Sequence, residues 1–98
     1  MRLRLSRRAV HRLTEIGAYL RARSLSAAWD AQHAIRDCFD LLARCPEIGR
    51  RIRLDDKAAA LRVVAAPRWP YLIYYQVDPK AEGLTVVTIR HAAQRRLT

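Results

Sequence analysis

The sequence lacks the features of a membrane or secreted protein. No apolar run among its 98 residues approaches the roughly 20 residues that a membrane span needs. The opening segment Met1–Leu5 is basic but is not followed by the apolar core of a signal peptide, so we expect no signal peptide. The chain also contains no repeat and no low-complexity segment. We therefore expect one domain over residues 1–98, in the cytoplasm and without membrane contact.

Cysteine is scarce, and Cys38 and Cys45 are the only thiols. On one helix their separation would be ~10 Å, which is too far for a disulfide. Two thiols without a neighbouring cysteine or histidine pair also make a poor zinc site. We therefore expect buried, reduced, structural thiols, and we expect neither a metal nor a cofactor.

Lysine and acidic residues are also few. The chain has 17 Arg against 2 Lys and 9 Asp+Glu, which gives a net charge of +10. A preference for arginine codons would explain the ratio of arginine to lysine but not the net charge. Because arginine binds phosphate and carboxylate groups in planar, bidentate contacts, the charge indicates nucleic acid or an acidic protein as partner.

The first half of the chain predicts a strand and a helical hairpin. Residues 2–6 alternate between arginine and leucine, which is typical of a short strand with one buried face. Apolar residues then recur at spacings of three and four over 7–23 and again from 28 to 45. The two helices are separated by a break at 24–26, and Pro46 and Gly49 end the second one.

The second half predicts a loop followed by an antiparallel meander. Residues 47–59 hold many charges and few large apolar groups, which is typical of a loop. Three segments rich in apolar and β-branched residues follow, at 60–66, 71–77 and 84–90. The predicted fold is α+β, in the order β-α-α-β-β-β, with a helical hairpin packed on a small, mainly antiparallel sheet. The position of the first strand in that sheet stays open.

Several short motifs follow one another in order along the chain. They are the opening strand with Ser6-Arg7-Arg8-Ala9; Leu13, Ile16, Tyr19 and Leu20; Ala28, Ile35, Leu42, Pro46 and Gly49; the Y-x-I-x-Y-x-V strand Tyr71–Val77; and Val87–His91 with Arg95. Together they resemble the ParE/RelE toxin superfamily, and within it the ParE branch, with a RelE/ParE-like fold.

The resemblance implies the toxin of a type II toxin–antitoxin pair. Such a toxin is held in a hetero-oligomeric complex by a small antitoxin, here ParD-like with an acidic C-terminal segment. ParE-like members are known as DNA gyrase poisons, which implies gyrase as target, no catalysis and no sequence-specific DNA binding. RelE-like members cleave mRNA on the ribosome instead, and a non-toxic, binding-only member of the fold is a third alternative.

The ribonuclease alternative would depend on three residues. Metal-independent RNA cleavage needs an acid, a base and cations that hold the phosphate, and Arg62, Arg90 and His91 are the candidates. The lysine-rich helix and C-terminal tyrosine of many ribonuclease members are missing, so the catalytic set is incomplete. The structural alternative is that His91 caps its strand and forms a local hydrogen bond.

Charge and aromatic placement indicate where a partner binds. The run from Arg50 to Arg53 is either a solvated loop or a surface that attracts an acidic chain or a phosphate backbone. Trp29 lies on the polar face of the second helix, where it either anchors a partner or packs locally over the helix edge. Strand 71–77 is apolar on both faces, so we expect an exposed apolar strip on the face away from the helices. The candidate partner-binding residues are Arg2, Arg4, Trp29, Arg50, Arg51, Arg53, Arg62, Tyr74 and Arg95.

Overall fold

The computed structural model describes residues 1–52 and 61–94, which form two long helices and one sheet. The elements are β1 (Arg2–Leu5), α1 (Arg7–Arg23), α2 (Leu25–Arg44), β2 (Arg50–Ile52), β3 (Leu61–Ala65), β4 (Tyr71–Asp78), β5 (Gly83–His91) and a 3-10 turn, Ala92–Gln94. The predicted α+β fold, with a helical hairpin packed on a mainly antiparallel sheet, is confirmed.

The sheet is mixed, and its strand order is β1-β5-β4-β3-β2. β1 lies at one edge and runs parallel to β5, with Leu3 opposite Leu84. The other neighbouring pairs are antiparallel. The hairpin α1–α2 thus connects the two edges of the sheet and covers one face, which we call the inner face. The uncovered side is called the outer face.

The predicted loop at 47–59 is wrong for Arg50–Ile52, which form the edge strand β2. Arg50 pairs with Val63 and Ile52 pairs with Leu61. Both arginines of β2 are exposed, as is common at sheet edges, where charged side chains discourage pairing with another chain. The composition of this segment does not indicate a strand, because a short edge strand is held by backbone hydrogen bonds to one neighbour and needs no apolar side chains. Residues 53–60 of the predicted loop lie outside the described residues.

Two serines determine where the helices begin. The hydroxyl of Ser6 accepts a hydrogen bond from the Ala9 amide at 3.0 Å and donates one to the Val87 carbonyl at 2.6 Å. Ser24 serves both helices, because its amide donates to the Leu20 carbonyl while its hydroxyl accepts from the Ala27 amide. A serine at such a position satisfies backbone groups that a helix end leaves unpaired.

The core lies between the inner face and the hairpin. The fully buried side chains of the sheet include Ile73, Tyr75, Leu84, Val86 and Ile89. They pack with buried residues of the helices, namely Ala9, Leu20, Ala31, Ile35, Cys38 and Leu42. The register explains the set, because alternate residues of β4 and β5 point toward the helices.

Some apolar residues of the predicted strand and helix patterns are exposed rather than buried. Val10 is 49% exposed, because Ala9 occupies the buried position at the start of α1. Leu5 is exposed at the end of its edge strand. Cys38 is buried as expected, but Cys45 follows the last turn of α2 and is exposed, and both thiols are free. In the described part of the chain, no helix has the length and apolarity to cross a membrane.

Candidate partner-binding site

Tyr75 attaches the segment after α2 to the sheet. Its hydroxyl accepts a hydrogen bond from the Gly49 amide at 2.9 Å and donates one to the Pro46 carbonyl at 2.7 Å. Position 49 needs glycine for this close approach, because a Cβ there would lie 2.7 Å from the ring carbon Cε1 of Tyr75. Burial raises the pKa of the Tyr75 hydroxyl above its ordinary value, so it remains a donor.

Arg62 is held by the same segment. Arg62 lies on β3, on the inner face, and pairs with Tyr75 of β4. Its guanidinium donates to the Glu47 carbonyl at 3.0 Å and to the Gly49 carbonyl at 2.8 Å. Together with the Tyr75 hydroxyl, these bonds satisfy backbone groups of the turn between α2 and β2. Arg62 therefore has a structural role, whatever else it contacts.

The structure does not gather Arg62, Arg90 and His91 into one cluster. Arg62 is opposite Tyr75 and His91 is opposite Tyr71, so they are separated by ~13 Å along the sheet. Arg90 pairs with the intervening Leu72 and lies on the outer face. The His91 ring packs edge-on against Tyr71, and its Nδ1 accepts a hydrogen bond from the Ala93 amide at 3.1 Å.

The outer face carries several of the predicted partner contacts at its edges. Arg2 and Arg4 are exposed on β1, and Arg50 is exposed on β2 at the opposite edge. Arg51 is also exposed, and it pairs with Arg62. Arg53 and Arg95 lie outside the described residues.

The predicted exposed apolar strip on β4 is wrong. Tyr74 is only 4% exposed, and its outer-face neighbours Leu61, Val63 and Thr88 are buried too. Apolar composition on both strand faces cannot tell an exposed face from a covered one. Tyr74 therefore offers little surface to a partner that binds the described chain.

An open apolar groove lies between the two helices. This helix groove has a volume of about 690 Å³ and is lined from both α1 and α2. Its apolar lining includes the half-buried Leu13, Ile16, Ala28 and Phe39 and the exposed Leu25 and Trp29. Leu25 and Trp29 are 75% and 64% exposed, which is unusual for side chains that gain free energy from burial. Trp29 was thus correctly predicted to be outside the core.

The charged side chains that line the helix groove are all positive among the described residues. Arg21 lines it from α1 and Arg36 from α2, and none of the described residues that line it is acidic. Among the described residues neither guanidinium forms an ion pair. A Cβ at Gly17 would meet only the Arg21 guanidinium, with Nη1 at 2.9 Å, so glycine helps to keep the floor open. The groove thus suits an apolar segment that carries acidic side chains.

Sequence reasoning did not find the groove. Periodicity predicted the apolar faces of both helices, but not that several of these apolar residues line an open groove between them. The sequence feature that could have indicated the groove is Leu25, an apolar residue at the first position of a helix and outside its apolar stripe. The described residues contain no group of His, Cys, Asp and Glu side chains that would hold a metal ion.

The fold is that of a small α+β protein with an open apolar groove between two helices. The profile of a family described as "ParE toxin of type II toxin-antitoxin system, parDE" matches residues 3–96. The chain is also 35% identical over 94 residues to Y4kP of Sinorhizobium fredii, a candidate toxin, covering 96% of this chain and 91% of that protein. The chain therefore belongs to the ParE toxin family of type II toxin–antitoxin systems.

A solved structure shows the same fold. A chain from the chromosomal ParDE toxin–antitoxin system of P. aeruginosa is similar with a TM-score of 0.71 and 21% sequence identity. The similarity covers 93% of this chain and 95% of that one. The five-stranded sheet with its helical hairpin is thus the architecture that the family match leads one to expect.

Proposed function

We propose that this protein inhibits DNA gyrase in the cytoplasm and is neutralised by a cognate ParD-like antitoxin that binds in the helix groove. The observation that carries the antitoxin part of the proposal is the groove, with an apolar floor and basic rims in a chain of net charge +10. The gyrase part is supported by the family match. The P. aeruginosa structure is described as a chromosomal ParDE toxin–antitoxin system, which supports a partner of this kind.

The groove favours an amphipathic acidic helix as the antitoxin segment. Such a helix places apolar side chains three and four residues apart against Leu25, Ile16 and Phe39, in the mode that many helix-in-groove complexes use. Each apolar side chain that it buries would contribute about 1.5–3 kcal/mol. Its acidic residues would approach Arg21 and Arg36, which gives orientation and a faster encounter.

Substitution in the groove tests the antitoxin site. Leu25→Glu removes an exposed apolar contact and adds a carboxylate that repels an acidic partner, and an acidic residue in the first turn favours the helix. We expect about 10- to 100-fold weaker antitoxin binding by calorimetry. Leu41→Glu is the matched control, because Leu41 is exposed on the same helix but does not line the groove. Equal affinity of the Leu25→Glu variant and the parent would contradict the site.

Inducible expression tests the target. We expect loss of plasmid supercoiling with intact transcripts, and co-expression of the antitoxin should restore growth. Rapid transcript cleavage with normal supercoiling would instead favour the ribosome-dependent ribonuclease, and absence of any growth defect would favour a binding-only protein. His91→Ala should leave toxicity unchanged. Among the described residues, the His91 ring packs against Tyr71 and accepts a hydrogen bond from the Ala93 amide, which are structural contacts.

A further inference from the structure

A second pocket lies between α2 and the turn that joins β3 to β4. This pocket, called the indole pocket here, has a volume of about 610 Å³. Its chemically distinctive lining residues are Trp29, Asp30, His33, Asp37, Arg68 and Trp69. It unites both tryptophans of the chain with two carboxylates, although the two indoles are 40 positions apart in the sequence.

The two walls of the indole pocket differ in burial. Trp69 is half-buried and packs against the core, and its backbone amide donates to the Ala66 carbonyl at 3.3 Å. Arg68, in the same turn, has φ 68°, a left-handed conformation that few non-glycine residues adopt. Trp29 is exposed on α2 and contacts only the His33 ring among aromatic groups of the described chain, at a centroid distance of 4.4 Å.

The charge of the indole pocket differs from that of the rest of the molecule. Asp30 and Asp37 are exposed, and neither forms an ion pair within the described residues. Among the described residues that line the pocket, the two carboxylates outnumber the single arginine, Arg68. Over residues 24–45 the chain has a net charge of −1, whereas residues 1–23 carry +6.

We propose that the indole pocket binds a basic side chain, arginine or lysine, of the same antitoxin segment that occupies the helix groove. This inference rests on the proposed function, because Trp29 lines both cavities and a segment that occupies the groove would pass beside the indole pocket. A cation over an indole face is attracted by the π system, and a carboxylate beside it adds an ion pair. The antitoxin segment thus carries apolar and acidic residues for the groove and a basic residue where it passes Trp29.

Binding in the pocket can be followed by tryptophan fluorescence, because Trp29 and Trp69 are the only tryptophans in the chain. We would titrate the full-length protein with N-acetyl-arginine amide at low ionic strength and record tryptophan emission. N-acetyl-citrulline amide, which has nearly the same shape without the charge, is the matched ligand control. We expect a saturable change with the arginine derivative and at least a fivefold weaker response with the citrulline derivative.

Substitutions of the charged lining residues separate the charge effect from stacking. Asp30→Asn combined with Asp37→Asn should weaken arginine-derivative binding by about three- to tenfold. Asp40→Asn, on the same helix but outside the pocket, should not. Arg68→Asn removes the competing cation and suits a left-handed backbone, so it should tighten binding. A site that acts by stacking alone would respond to none of these substitutions, and that result would overturn the proposal.

A second readout links the pocket to the antitoxin. The double Asp→Asn variant should bind the antitoxin at least threefold more weakly, whereas Asp40→Asn should bind it like the parent. Unchanged antitoxin affinity of the double variant, or a saturable response to a nucleoside monophosphate but not to the arginine derivative, would overturn the inference. If instead Leu25→Glu leaves the antitoxin complex intact, the proposed groove fails, and the fluorescence titration still decides whether the pocket binds a basic side chain.

Discussion

A single phenolic hydroxyl connects the turn after α2 to the centre of the sheet. Tyr75 is fully buried, and its two hydrogen bonds satisfy groups of Gly49 and Pro46 that water does not easily reach. Removing one partner of a buried bond costs more than the net stabilisation of the bond, because the remaining group stays desolvated. Tyr75 is therefore the residue whose side-chain chemistry matters most for this part of the fold.

Tyr75→Phe should lower the free energy of unfolding by about 1–3 kcal/mol, since it leaves the Gly49 amide and the Pro46 carbonyl without this partner. Urea denaturation followed by circular dichroism measures the change. Tyr19→Phe is the matched control, because Tyr19 is exposed on α1 and should change stability little. A variant as stable as the parent would show that the two bonds contribute no net stability.

Stability should fall as the pH rises above 10.0, the ordinary pKa of a tyrosine hydroxyl. Burial raises the pKa of Tyr75 in the folded state, so above that pH the unfolded chain releases the proton first. The folded state then binds more protons than the unfolded state, and the free energy of unfolding decreases. Denaturation at a series of alkaline pH values should show a shallower fall in Tyr75→Phe. A remaining slope is expected from Tyr71 and Cys38, because burial also raises the pKa of each of these groups.

At the scale of elements, one serine ends α1 and begins α2. The hairpin has no linker beyond Ser24, which lies in an extended conformation and bonds to both helices. This short connection determines the spacing of α1 and α2 and therefore the width of the helix groove. The groove is thus a property of the hairpin rather than of either helix.

Ser24→Ala should destabilise the protein by about 1 kcal/mol, because the amide of Ala27 loses its capping oxygen. Thermal unfolding measures the loss. Ser26→Ala is the control, since Ser26 lies within the first turn of α2, is exposed, and pairs its hydroxyl only with that of Ser24 among the described residues. If Ser26→Ala were the more destabilising of the two, the capping interpretation would be wrong.

For the whole molecule, the reactivity of the two thiols measures how well the core excludes solvent. Cys45 is exposed, whereas Cys38 is buried among helix and sheet residues and burial raises its pKa. We expect one thiol to react promptly with a disulfide reagent under native conditions, and the second only when the protein unfolds. Cys45→Ser should remove the fast phase alone. Two fast phases in the parent protein would contradict a closed core.

Charge is also distributed over the whole molecule. Exposed arginines lie at both edges of the sheet, and the helix groove has basic rims, while the indole pocket gathers carboxylates. A net charge of +10 alone suggested nucleic acid or an acidic protein without choosing between them. The family match and the apolar floor of the groove favour the protein partner.

Much of the fold follows from local patterns. Ser6 and Pro46 bound the hairpin because capping and helix termination depend on residues within one turn of each other. Strands β4 and β5 were recognisable from their β-branched and aromatic residues. β2 was not, because an exposed edge strand of three residues needs only backbone pairing with β3.

Periodicity and motifs in a fixed order were enough to predict the α+β class, the helical hairpin and the toxin family. The folded chain was needed to see that β1 pairs in parallel with β5, that Tyr74 is buried and that Leu25 is exposed beside an open groove. It also brought Trp29 and Trp69 into one pocket. The physical reason is that helix and strand periodicity depends on near neighbours, whereas burial depends on which distant elements pack together.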